Sequence, residues 1–205
     1  MRNLIIPLVA LLTVACSNGS EAQARRATPT GAARDTAIFA GGCFWCVEEA
    51  FDKAPGVTST TSGYTGGHTV RPTYEQVSAG GTGHAEAVLV VFDPGRISYP
   101  QLLNVFWHNV DPITANQQFC DKGAQYRSAI FYRGAEQHQE ALASKDALAR
   151  SGRFKKPIVT EISAASAFYP AEEYHQDYYQ KNPLRYKFYK FSCGRAQRLK
   201  ELWGK

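Results

Sequence analysis

Two thiols stand three residues apart in Gly41-Gly42-Cys43-Phe44-Trp45-Cys46. The glycines precede a segment with helical apolar spacing, so Cys43 falls at a helix start. A thiol there feels the positive end of the macrodipole, and nearby backbone N–H groups stabilise its thiolate. Cys46, three residues on, can reach Cys43 once the turn adapts. Phe44 and Trp45 add apolar surface beside the thiol. These residue types at this spacing describe a redox cysteine facing a hydrophobic substrate.

Glu86 is the second candidate. His84 to Phe92 reads as a strand whose two faces are both apolar except at its start. Such a strand is buried on both sides. Glu86 lies near the buried beginning, where a carboxyl resists ionisation and can donate a proton near neutral pH. The alternative is a structural ion pair with an Arg or Lys, but the strand offers no local partner.

The elements that must position these groups follow from periodicity. Asp35 to Ala40 reads as a strand entering the Gly41-Gly42 turn. Phe44, Val47, Phe51 and Ala54 form one helical stripe that Pro55-Gly56 ends. Val57 to Tyr64 reads as a strand, and a glycine-rich loop runs on to Gly83. Ser98 caps a helix bearing Leu102, Leu103, Phe106 and Val110. Asp111 to Ala124 is a polar loop, Tyr126 to Arg133 a strand, and Ala135 to Arg150 a helix with Gly152 past its end. Pro157 to Ile162 reads as a strand, Ala171 to Gln180 as an acidic, Tyr-rich helix, and the tail as a short helix ending at Trp203. The core order β-α-β-β-α-β predicts an α+β fold, a ferredoxin-like two-layer sandwich with a mainly antiparallel sheet and extra helices.

The chain has 205 residues, enough for one core, with 44% hydrophobic and 20% charged residues. Its formal charge of +5 is spread along the sequence. That excludes a clustered basic footprint, so no nucleic-acid partner is expected. Leu4 to Ala15 is an apolar run behind Arg2, short for a membrane span and suited to a signal segment over residues 1–15. It ends in Leu12-Thr13-Val14-Ala15-Cys16, similar to a bacterial lipoprotein signal, with Thr13 where an aliphatic residue is usual. Cys16 is the expected lipidation site. Residues 16–35 read as a flexible tether, and 36–205 as the folded domain. Membrane association is expected only through the lipid. The predicted place is exported and periplasmic, at the outer membrane if the cell is Gram-negative.

With Cys16 assigned to the anchor, Cys43, Cys46, Cys120 and Cys193 remain. Export makes two structural disulfides one reading. A zinc site would need a second close-spaced pair, which Cys120 and Cys193 do not form. No metal and no cofactor are expected.

Three separated segments carry a family resemblance: Gly41-Gly42-Cys43-Phe44-Trp45-Cys46-Val47-Glu48, Gly83-His84-Ala85-Glu86-Ala87-Val88 with Phe92-Asp93-Pro94, and Asp121-Lys122-Gly123-Ala124-Gln125-Tyr126-Arg127-Ser128. In this order they resemble peptide methionine sulfoxide reductase A, over about residues 36 to 203. Cys46 stands where many members have Gly, and Ala196 where Asp is usual. The resemblance implies thiol-dependent reduction of the S epimer of free or protein-bound methionine sulfoxide, a repair of oxidised protein. It makes Cys43 the nucleophile and Glu86 the proton donor. Phe44 and Trp45 would pack on the substrate methyl group, Tyr74 and Tyr126 would hydrogen-bond the oxygen, and Asp121 would orient the substrate amide or a water. Cys46 ranks first as the resolving thiol, then Cys193, then Cys120. A thioredoxin-like reductant would reopen the disulfide, and the enzyme would act as a monomer.

Two rivals remain. A thioredoxin-like thiol–disulfide oxidoreductase would also use Cys-x-x-Cys after a strand, but with no need of Glu86 and the aromatic set. A lipoprotein with purely structural disulfides would consume no dithiol with either sulfoxide epimer.

Overall fold

The computed structural model describes Met1 and residues 34–204. Cys16, nearly all of the expected signal segment and most of the tether lie outside the described residues. From residue 34 onward the elements are β1 (Asp35–Gly41), α1 (Phe44–Asp52), β2 (Val57–Thr65), α2 (Tyr74–Ala79), β3 (Ala85–Phe92) and α3 (Tyr99–Trp107). There follow the small pair β4 (Gln117–Gln118) and β5 (Asp121–Lys122), then β6 (Ser128–Tyr132), α4 (Ala135–Arg150), β7 (Glu161–Ala164) and β8 (Tyr169–Pro170). The chain closes with α5 (Tyr178–Lys181), α6 (Pro183–Ser192) and α7 (Arg195–Trp203).

The main sheet has six strands in the order β7-β6-β1-β3-β2-β8. All neighbours are antiparallel except β6 and β7. This is a mixed α+β architecture. One face of the sheet carries Phe39 from β1, Val88, Val90 and Phe92 from β3 and Ile130 from β6, packed on Phe51 of α1, Leu102, Leu103 and Phe106 of α3 and Ala141 of α4. Phe39 is the centre of this layer, with ring centroids 4.8 Å from Phe51 and 5.3 Å from Phe106. The other face sets four small residues, Ala40, Ala85, Ala87 and Ala129, beside Ile38 and Phe131, and the chain at Ala165 and Phe168 lies against it.

Period two puts Glu86 on the same face as Val88, Val90 and Phe92, the face that meets α1. β3 is buried on both sides, as its composition predicts. At the matching end of β1 the chain must turn sharply into α1, and Gly42 does this at φ +81°. A Cβ there would sit 2.4 Å from Cβ of Gln118, so both the conformation and the space require glycine.

Three expectations are corrected. The strand read at Pro157–Ile162 lies further on, at Glu161–Ala164. Its first residues are drawn off elsewhere: Val159 N–H donates to the Pro112 carbonyl, and the Thr160 carbonyl accepts from Lys145. The single helix read over Ala171–Gln180 is instead a 3-10 turn at Glu173–His175 followed by α5. Long-range polar bonds override helix propensity here. Gln176 bonds both the N–H and the carbonyl of Ser62, and Asp177, at φ +54°, donates its N–H to Glu48. Third, α2 and α6 occupy segments read as loop and tail. α2 has a full capping box between Thr73 and Gln76.

Candidate active site

Cys43 is the N-cap residue of α1 and leads into it with non-helical backbone. The Phe44 N–H, free at the helix start, donates to Oε2 of Glu86 at 3.0 Å. The start of β3 and the start of α1 are therefore joined by one buried hydrogen bond. Glu86 is 3% exposed and has no Lys or Arg among its partners. Burial pushes its carboxyl up to about 8. The Phe44 N–H opposes the shift, while the negative charges of Asp121 and Cys46 add to it.

The structure brings Cys43, Phe44, Trp45, Tyr74, Glu86, Asp121 and Tyr126 around one cavity of about 200 Å³, with Tyr189 completing the wall. All seven pocket residues named from the sequence meet there, although they come from four separate stretches of chain. Tyr74 starts α2, and its N–H donates to Glu172, which also accepts from the Tyr64 hydroxyl. Tyr126 ends a short 3-10 turn ahead of β6 rather than opening the strand. Burial raises the Tyr74 phenol to about 12 and pushes Tyr126 higher still, so both are neutral donors near neutral pH.

Trp45 is fixed on two sides. Its ring stacks on Tyr178 with centroids 3.7 Å apart, and its Nε1 donates to Nδ1 of His175 at 3.1 Å. That bond needs a lone pair on Nδ1, and burial depresses the His175 pKa toward the neutral ring that supplies one. His175 also packs against Tyr74 and Phe44, with centroids at 4.3 and 5.0 Å.

Both thiols of the Cys-x-x-Cys pair are free and buried. Burial raises Cys43 first of all, and the neighbouring Cys46 and Glu86 raise it further. Cys46 moves the other way, to about 6, through its hydrogen bond with Cys43, with Arg195 and Lys190 adding positive charge against the cost of burial. One negative charge is thus shared by the two thiols near neutral pH, beside a carboxyl that still holds its proton.

Cys120 and Cys193 are joined in a disulfide. The bridge takes both sulfurs of the Cys120, Asp121 and Cys193 cluster, the one group with metal-ligand spacing among the described residues.

Residues 35–205 match the family model described as peptide methionine sulfoxide reductase. The chain belongs to the peptide methionine sulfoxide reductase family. It is 53% identical over 169 residues to the peptide methionine sulfoxide reductase MsrA of Listeria innocua, covering 82% of this chain and 96% of the relative. It is 56% identical over 170 residues to MsrA of Ligilactobacillus salivarius, covering 83% and 98%. Among solved structures it resembles reduced Mxr1 from Saccharomyces cerevisiae, with TM-score 0.70 and 32% identity over 75% of this chain and 88% of that one. As a peptide methionine sulfoxide reductase it reduces the S epimer of methionine sulfoxide with electrons from thiols.

The sequence reading missed Tyr189, His175, Tyr178 and Glu172. A signal for the first existed: Tyr186, Tyr189 and Cys193 recur at helical spacing in a segment read as tail. Nothing local marked the other three.

The charge arrangement has a pH consequence. The shared thiol proton is lost near 6, and Glu86 holds its own until about 8. Single-turnover sulfoxide reduction should therefore rise through the lower value and fall through the upper one. Glu86→Gln should cut the rate by roughly 10²–10⁴-fold and remove the falling limb. A Glu86→Gln profile that still falls near pH 8 would place the acid elsewhere.

Proposed function

We propose that Cys43 attacks the sulfoxide sulfur while Glu86 protonates the oxygen. The observation that carries this reading is the buried Glu86 carboxyl, without a cationic partner and pushed up to about 8 by burial, facing the same small cavity as the Cys43 thiol. Cys43 passes its proton to the Cys46 thiolate as it attacks. The attack forms a transient bond between the two sulfurs. The protonated oxygen then passes to the Cys43 sulfur as the substrate S–O bond and the sulfur–sulfur bond both break, so methionine leaves as the thioether and Cys43 is left as a sulfenic acid. The proton on Cys46 and the vacancy on Glu86 balance within the site. Tyr74 and Tyr126, both neutral donors, stabilise charge on the oxygen. Phe44 and Trp45 form the apolar side for the methyl group, and Asp121 accepts from a substrate amide or a water.

Cys46 then condenses with the sulfenic acid, giving a Cys43–Cys46 disulfide and water. Its place on the same first turn as Cys43, with its N–H on the Cys43 carbonyl and both thiols free, supports this choice, as does the fact that Cys193 and Cys120 are already paired to each other. A thioredoxin-like dithiol suits the reopening step, because it delivers two electrons and two protons by thiol–disulfide exchange. The strand order β6-β1-β3-β2 around α1 and α3 supports the ferredoxin-like description of the core.

Cys43→Ser should abolish reduction of the S-sulfoxide while the fold persists. Mass mapping of wild type after one turnover should show a Cys43–Cys46 bridge beside an unchanged Cys120–Cys193 bridge. Retained turnover would reject the nucleophile, and a Cys43–Cys193 or Cys43–Cys120 link would reassign the resolving thiol.

We place the enzyme outside the cytoplasm, held by a lipid on Cys16 through the 16–35 tether. The apolar run before Cys16 and the polar stretch after it support this. Ser17, rather than Asp, follows the cysteine and favours the outer membrane in a Gram-negative cell. Cys16→Ala should release the protein from the membrane fraction with reductase activity intact. A wild type without acyl mass at Cys16 would favour a cleaved signal instead.

A further inference from the structure

Tyr189 and the Cys120–Cys193 disulfide stand in one ring of contacts that the reaction above does not use. The Tyr189 hydroxyl donates to Oδ2 of Asp121 at 2.5 Å and also lies against Cys43. Asp121 is the residue after Cys120, and Cys193 follows Tyr189 by one turn of helix, at the C-cap of α6. The disulfide and the Tyr189–Asp121 hydrogen bond therefore close the same ring from opposite ends. We infer that the Cys120–Cys193 disulfide braces the Tyr189–Asp121 wall of the substrate pocket, and that Tyr189 is a positioning residue for Asp121. The inference rests on the reading of that pocket as the sulfoxide site.

The wall has anchors of its own, since buried Gln118 of β4 bonds both the N–H and the carbonyl of Asp111, and the brace adds to them at the side that faces the pocket. The β4–β5 pair has two residues per strand, and Asn116 and Phe119 beside it both take positive φ, at 51° and 56°. α6 turns Leu184, Phe188 and Phe191 outward, at 83%, 73% and 86% exposure. It is tied down only along its inner edge. Tyr186 donates to Glu49 at 2.5 Å, Lys190 pairs with the same carboxylate, and Tyr189 reaches Asp121. Arg195, just past the bridge, lies over the Phe119 ring at 4.3 Å and so joins the same two segments. The disulfide spans 73 residues of sequence, so it removes much of the freedom that Asp121 and Tyr189 would otherwise lose when they meet.

This division predicts where damage would appear. Cys43 and Glu86 are held in place by α1 and β3 rather than by the disulfide, although Tyr189 and Asp121 face them across the cavity. A loosened wall should weaken the hold on substrate and leave the chemical step nearly intact. The positioned Asp121 acts on binding, and uniform binding appears in the half-saturating concentration rather than in the limiting rate.

The test is single-turnover reduction of free methionine S-sulfoxide by the full chain, followed across substrate concentration. Four proteins are compared: wild type with the bridge shown intact by mass, C120S/C193S, Y189F, and the triple variant. C120S/C193S and Y189F should each raise the half-saturating concentration about tenfold, and C120S/C193S, which leaves the Tyr189 hydroxyl beside Cys43, should keep a limiting rate within about twofold of wild type. The triple variant should be no worse than the weaker of the two, because both act through one wall. Wild type whose bridge has been opened by a small dithiol, gaining two hydrogens by mass, should match C120S/C193S and needs no substitution to fold. An unchanged half-saturating concentration after opening the bridge, or additive penalties in the triple variant, would overturn the brace. A lost limiting rate with unchanged half-saturation would assign the two sulfurs to electron transfer and overturn it as well. Failure of the pocket reading itself would appear separately, as turnover retained in Cys43→Ser.

Discussion

The hydrogen bond from the Phe44 N–H to Glu86 is the contact on which the rest of the site depends. It joins the beginning of a strand buried on both faces to the first turn of the helix that carries the thiol. A helix start leaves N–H groups unpaired, and a buried carboxyl needs donors. Each need is met by the other, with no Lys or Arg drawn in. That choice of partner matters. A cationic partner would hold Glu86 ionised, whereas one neutral N–H leaves burial dominant and the proton in place. Gly42 makes the approach possible by turning the chain where a side chain would strike Gln118.

Around that contact the site separates two jobs between two charge environments. Cys46, near Arg195 and Lys190, draws the negative charge that the two thiols share, while burial keeps the equally buried Glu86 on the protonated side. An acid and a nucleophile with opposite requirements can then be ready at the same pH, as in other enzymes that tune paired groups apart. The aromatic layer serves a different purpose. Trp45, stacked on Tyr178 and bonded to neutral His175, is a rigid apolar face that does not collapse into the cavity beside it.

Much of this was legible in the chain because it depends on local pattern. Period two placed Glu86 on a buried face, and the glycine turn placed Cys43 at a helix start. The resemblance added Tyr74, Asp121 and Tyr126, which no spacing rule would have brought to the same cavity. The unread parts are those set by contacts distant in sequence. His175 meets Trp45 across 130 residues, and Glu172 meets Tyr74 across 98. The stretch from Ala171 to Gln180 has the composition of a helix, yet Gln176 and Asp177 spend their polar groups on Ser62 and Glu48, so it breaks. The pairing of Cys120 with Cys193 was equally hidden, since disulfide partners follow from proximity in the fold and not from order in the chain.

The central claim is that Glu86 is a neutral acid in the resting enzyme. Infrared difference spectroscopy across a pH titration measures this directly, through the carbonyl stretch of a protonated carboxyl that is absent from Glu86→Gln. The account predicts that the band is present at neutral pH and is lost with a midpoint near 8. Loss of the band near the ordinary carboxyl value of 4.5 would show Glu86 ionised at working pH and contradict the account.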